Sequence, residues 1–175
     1  LAFRRDEREF LNVTLADLPN GDFAFTTLRN FVLSSWALLM WQRLATSSDE
    51  QLSAIAGKAV KEARYHREHA ADWVVRLGDG TDESTRRMAG ALERLWRYCA
   101  ELFDADETDR EAAAQGLGPA WSALEEAWRA DVSAVLQEAG MTLPAESAFR
   151  SDGKRGRHSE HMGRLLAEMQ YLHRA

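Results

Sequence analysis

Cysteine is almost missing from this chain of 175 residues, with Cys99 standing alone. One thiol excludes an internal disulfide framework and any metal cluster built on thiolates, and it fits a reducing, cytoplasmic setting. Cys99 itself reads as a small buried apolar residue. Proline is scarce as well, with three residues, and eleven glycines supply most of the remaining punctuation. No apolar run is long enough to cross a bilayer, because the longest, from Phe31 to Trp41, is interrupted by Ser34 and Ser35. A signal peptide is not evident either. An excess of basic charge is also lacking: the formal net charge is −6, which excludes a general nucleic-acid binder that would need a basic surface.

What is present belongs to an ordinary globular chain, since 45% of the residues are hydrophobic and 29% charged, away from both disordered and membrane compositions. A chain of this length can form one domain over residues 1–175 and bury roughly 70% of the surface its unfolded form exposes. Apolar residues recur at spacings of three and four rather than two, so the fold class is all-α. A short amphipathic segment near Arg8 to Leu15 and a turn over Leu18-Pro19-Asn20-Gly21-Asp22 precede a strongly apolar helix from about Phe23 to Ala45. Ser48, with Gln51 three residues on, has the capping-box pattern and starts a helix expected to reach Leu77.

In that second helix the seam expected from alternating steps of three and four is Leu52, Ile55, Ala59, Ala63, His66, Ala70, Trp73 and Leu77. Gly78 suits a left-handed cap after it, and Thr81 suits the N-cap of the next helix, over about Asp82 to Leu102. Met88, Leu92, Leu95, Trp96, Cys99 and Leu102 form its apolar face. A charged link near Asp104 to Asp109 follows. Gly118-Pro119 opens a helix to about Glu138, with Trp121, Leu124, Trp128, Val132, Val135 and Leu136 buried and Gly140 ending it. Met141 to Arg157 reads as a loop crossing the end of the bundle. The last helix is expected over about Ser159 to His173.

Two stretches place chemistry on this scaffold. Residues three, four and seven apart share a helix face, so Glu62, His66 and His69 point one way. Bundled di-iron sites take a Glu-x-x-His pair from each of two helices and one glutamate from each of two others. Against that pattern Tyr65 stands where histidine belongs after Glu62, and His158 stands where glutamate belongs before His161. Each pair is broken at one member, and a neighbour on a helix lies about 100° round the axis, so a shift by one residue does not repair it. Glu62, Tyr65, His66, His69, His158 and His161 are thus either a degenerate metal-site remnant or two ordinary features. The ordinary readings are a hydrogen-bonded polar cluster in a core for the first stretch and a helix N-terminus for the second.

Lys154, Arg155 and Arg157 concentrate positive charge just before the last helix and form a candidate loop for a phosphate or for partner docking. The chain holds no glycine-rich phosphate loop after a strand, and a lone cysteine without a fitting partner does not make a nucleophile. No catalytic or cofactor-binding residue is assigned.

Longer strings carry a resemblance. Arg64-Tyr65-His66, the run Asp72-Trp73-Val74-Val75-Arg76-Leu77-Gly78-Asp79-Gly80-Thr81, and His158-Ser159-Glu160-His161-Met162-Gly163 followed by Leu165-Leu166-Ala167-Glu168-Met169-Gln170-Tyr171-Leu172 resemble the PaaC-type structural subunits of bacterial phenylacetyl-CoA epoxidases. Pro19-Asn20-Gly21-Asp22-Phe23 and Ser48-Asp49-Glu50 are similar to the same family. The resemblance implies a ferritin-like up-down helical bundle, with further helices expected before Leu1. It also implies a non-catalytic subunit that binds and stabilises a homologous catalytic subunit in a cytoplasmic, multicomponent monooxygenase of aerobic phenylacetate degradation. In that reading the di-iron centre belongs to the partner, this chain holds no cofactor, and a homodimer is a further possible assembly. The contrasting expectation is a stand-alone ferritin-like di-metal carboxylate enzyme or iron-binding protein, with Glu62, His66, His69 and His161 as ligands.

Overall fold

The computed structural model describes residues 2–174, and over them the chain is helical, with no strand beyond an isolated bridge between Asp152 and Arg157. Six α-helices follow in order: α1 (Phe23–Leu44), α2 (Glu50–Gly78), α3 (Asp82–Trp96), α4 (Glu107–Ala114), α5 (Glu125–Glu138) and α6 (Glu160–Arg174). The all-α, ferritin-like bundle expected from periodicity and resemblance is the architecture observed.

Helix α1 is the hub. Its apolar residues are spread around the axis, so different faces pack on α2, α3 and α5. Asp22 caps it by accepting the amide of Phe25 at 2.9 Å, as a short acidic N-cap should. Arg29, buried, reaches back to the carbonyl of Leu18 at 2.5 Å and the amide oxygen of Asn20 at 2.6 Å, which pins the preceding turn. The core comprises Phe31 and Val32 of α1, the apolar face expected for α3, and Leu124, Trp128, Val132, Val135 and Leu136 of the stripe expected next, whereas Trp121 of that stripe is only partly buried against it. Trp128 stacks on Trp96 and meets Phe103 edge-on. Its indole N–H donates to the Val32 carbonyl at 2.9 Å, so the largest buried side chain carries no orphaned polar atom.

Four expectations are corrected. The N-cap of α2 is Asp49, which accepts the Leu52 amide at 2.8 Å, while Ser48 instead donates its hydroxyl to the Gln115 carbonyl at 3.2 Å. The buried stripe of α2 is Ala56, Ala63, Ala70, Ala71, Val74 and Gly78, which keeps Ala63 and Ala70 of the expected seam but leaves Ile55 and His66 outside, because small residues allow α1 to come close. Gly78 is the last residue of α2 rather than a left-handed cap, and a Cβ there would stand 2.5 Å from the Ala139 carbonyl oxygen, so its role is close approach. The third helix stops at Trp96 and continues as a 3₁₀ turn over Cys99–Phe103.

The charged link contains a helix that the spacing of its apolar residues did not announce. Asp106 and Asp109 form a reciprocal cap at the start of α4, each side chain accepting the other's backbone amide. Pro119 precedes a 3₁₀ turn over Trp121–Leu124, and α5 proper begins at Glu125. Thr81 and Gly140 behave as expected, the first capping α3 and the second closing α5 with φ of 72°.

Candidate functional site

The residues singled out for metal chemistry do not converge. Glu62, Tyr65, His66 and His69 lie on the outer face of α2, all exposed, with Tyr65 at 66%. His66 approaches Glu62 at 3.7 Å across one helical turn, and Tyr65 stacks on His69, so these four are solvated neighbours at the surface. This corrects the expectation of a polar cluster inside the core: the small-residue stripe turns that face outward.

His158 and His161 fare differently from each other. His161 is partly exposed on the first turn of α6, whereas the His158 side chain is fully buried. Its Nε2 lies 2.8 Å from the Phe10 carbonyl and its Nδ1 3.2 Å from Asp17 Oδ2. The His158 position, read as part of a helix N-terminus, is a buried structural joint. Among the described residues no group of three His, Cys, Asp or Glu side chains is placed to hold a metal ion. These donors do not fit a di-iron cage.

The joint that claims His158 is a densely organised polar region. Glu101, 3% exposed on the 3₁₀ turn after α3, accepts three donors: the Thr14 amide at 2.9 Å, the Ser151 hydroxyl at 2.7 Å and the Lys154 amide at 3.0 Å. One carboxylate thereby ties the N-terminal segment and the 151–158 loop to the core. Asp17 Oδ2 also accepts the amide of Ser159 at 3.1 Å, at the threshold of α6. Burial pushes the Asp17 carboxyl above its ordinary range, against the opposing pull of the Ser159 amide and the His158 charge.

Lys154, expected in an anion-binding loop, points inward. Its ammonium pairs with Asp109 Oδ2 at 2.5 Å, donates to the Asp104 carbonyl at 2.7 Å and sits 3.3 Å from the centre of the Trp121 ring. With its side chain 9% exposed, it is unavailable to a phosphate. Arg155 and Arg157 are exposed, with Arg155 held by Asp152 at 2.6 Å. Gly153 and Gly156 explain the sharp course of the loop. A Cβ at Gly156, where φ is 74°, would lie 2.5 Å from the Arg8 carbonyl oxygen, and one at Gly153 equally close to that of Asn12.

Sequence reasoning missed Glu101 and Asp17, which organise this joint. Neither belongs to a recognisable motif. Each is an acid beside apolar neighbours, and only three-dimensional proximity reveals its partners.

The family described as phenylacetic acid catabolic protein matches the chain over residues 1–175. The chain belongs to that family. Within it, a relative from Escherichia coli (strain K12), the C subunit of 1,2-phenylacetyl-CoA epoxidase, is 48% identical over 174 residues, covering 99% of this chain and 70% of the relative. The phenylacetic acid catabolic family thus accounts for the long strings around Tyr65 and His158 that resembled epoxidase subunits. It also frames the geometry: a helical protein in which the histidine of one broken pair faces outward on α6 and that of the other faces solvent on α2.

Proposed function

We propose that this chain is a non-catalytic structural subunit of a multicomponent oxygenase that epoxidises the aromatic ring of phenylacetyl-CoA. A homologous catalytic subunit would hold the di-iron centre and carry out the chemistry. The observation that carries this reading is the commitment of His158: its two ring nitrogens face Phe10 and Asp17, so it serves the fold and not a metal. The dispersal of Glu62, Tyr65, His66, His69 and His161 over two outer surfaces supports the same conclusion.

Exposed apolar side chains support a docking role. Ile55 and Tyr65 project from α2, and Leu165, Tyr171 and Leu172 from α6, each at least half exposed. Of the basic loop, Arg157 is the residue with the freest charge, 82% exposed and 3.7 Å from Asp152. It is our candidate for contact with a CoA phosphate or the partner. Reversing it with Arg157→Glu should raise the complex's KM for the thioester, and an unchanged value removes it from that role.

Co-elution tests the assignment. Mixed at micromolar concentration, this chain and the catalytic subunit of the same host should leave a size-exclusion column together. Separate elution would contradict a supporting role.

A further inference from the structure

We propose that the buried pair Asp17 and His158 is a one-proton latch that docks α6 while it holds its proton and releases α6 when the proton leaves to solvent.

The hydrogens at the joint can be counted from its partners. His158 Nε2 stands 2.8 Å from a carbonyl oxygen, which can only accept, so Nε2 carries a hydrogen. Nδ1 faces Asp17 Oδ2 at 3.2 Å, with side chains 0% and 1% exposed. That contact is attractive only if one further proton lies between the two, either on the imidazole as a cation or on the carboxyl as an acid. Without it a nitrogen lone pair and a carboxylate confront each other in a buried site. The same Oδ2 receives the Ser159 amide, while Asp17 Oδ1 and His158 Nδ1 are both buried without a hydrogen-bond partner, so the Nδ1 contact is a close charge pairing and not an aligned hydrogen bond.

Other charges near the joint are engaged elsewhere. Glu101 is occupied by Thr14, Ser151 and Lys154, Arg157 faces Asp152, and Glu160 lies 3.9 Å from His161. Arg8 and Glu7 of the N-terminal segment and Arg155 of the loop are exposed. His158 is the charge that acts on Asp17.

Helix α6 is built to respond. It packs chiefly on the N-terminal turn Glu7–Glu9, burying Met162, Leu166 and Gln170, and Gln170 donates to the Ala2 and Arg5 carbonyls at 2.9 and 2.8 Å. The joint supplies a tether at the other end, where the Ser159 amide donates to Asp17 Oδ2. The proton balance fixes the sign. The docked state holds one proton on the pair, and the released state holds none once free imidazole is neutral, above about pH 6.5. Docking therefore weakens as pH rises through that range, by about tenfold in the docking constant per pH unit.

Amide hydrogen exchange on the purified chain, corrected for the intrinsic pH dependence of exchange, reads this directly. From about pH 6 to about pH 9 the protection of α6 amides should fall with that slope while α1 and α5 amides hold theirs. Asp17→Asn supplies a neutral isostere that has no carboxylate to share a proton with Nδ1, and its α6 protection should be flat. Wild-type protection without pH dependence, or the same slope in the variant, would overturn the latch. Should the variant fail to fold, imidazole ¹⁵N shifts of the wild type decide: the docked pair must keep its shared proton over the range where protection falls, and loss of that proton at Nδ1 while α6 stays docked would overturn the latch. Titration at Nε2 instead would contradict the proposal.

Discussion

Lys154 and Asp109 meet at 2.5 Å beneath Trp121, joining the loop before α6 to the helix that follows the α3 turn. Both side chains are largely shielded, so their attraction is little screened, and removing one leaves the other buried without a counter-charge. Lys154→Met is expected to destabilise the fold by about 3 kcal/mol, less than a fully dry pair because Asp109 retains some water. The double variant Lys154→Met with Asp109→Leu should recover a substantial part of the loss. Chemical denaturation of the four proteins in the cycle measures this.

Trp128 ties α5 to α1 through the Val32 carbonyl. Trp128→Phe removes that donor and leaves a void between Trp96 and Phe103, for an expected loss of about 2 kcal/mol. The midpoint of urea unfolding should fall with the slope of the transition unchanged.

Gly156 has a left-handed backbone and the Arg8 carbonyl against it. Gly156→Ala adds both a conformational penalty and a collision with backbone, so the 151–158 loop must shift. An expected drop of about 2 kcal/mol should be accompanied by faster exchange at Lys154 and Ser159 amides.

Burial pushes the Cys99 thiol up to about 12, so no thiolate forms in the native protein near neutrality. A thiol reagent at mildly alkaline pH should react only as the chain unfolds. The unfolded thiol ionises nearer 9.0 and the native one does not, so stability should decline as pH rises above that value. Cys99→Ala should remove this part of the decline.

These joints mark what the sequence could and could not disclose. The stripes of α3 and α5 were legible because large apolar residues at helical spacing have one way to be buried. In α2 the regular steps led correctly to Ala63 and Ala70 but also to Ile55 and His66, which are exposed, while Ala56, Ala71 and Val74 are the positions that join the buried stripe. Helix α4 was hidden in its charges, although Asp106 and Asp109 stand at capping-box spacing. Of the candidate site, the defect in both Glu-x-x-His pairs was visible, while the burial of His158 against Asp17 depends on a contact across 141 positions of chain, which no local pattern encodes.

The surface cluster on α2 gives a contrasting test. Glu62→Ala removes a weak, exposed contact with His66 and should change stability by less than about 0.5 kcal/mol. A ligand of a structural metal would show a far larger effect.

Iron content is the most direct test of the supporting role. When the complex is purified from its host and its subunits are separated under mild conditions, the account predicts that iron stays with the catalytic homologue and that this chain emerges without it. A pair of irons retained by this chain, and lost on Glu62→Ala, would contradict it.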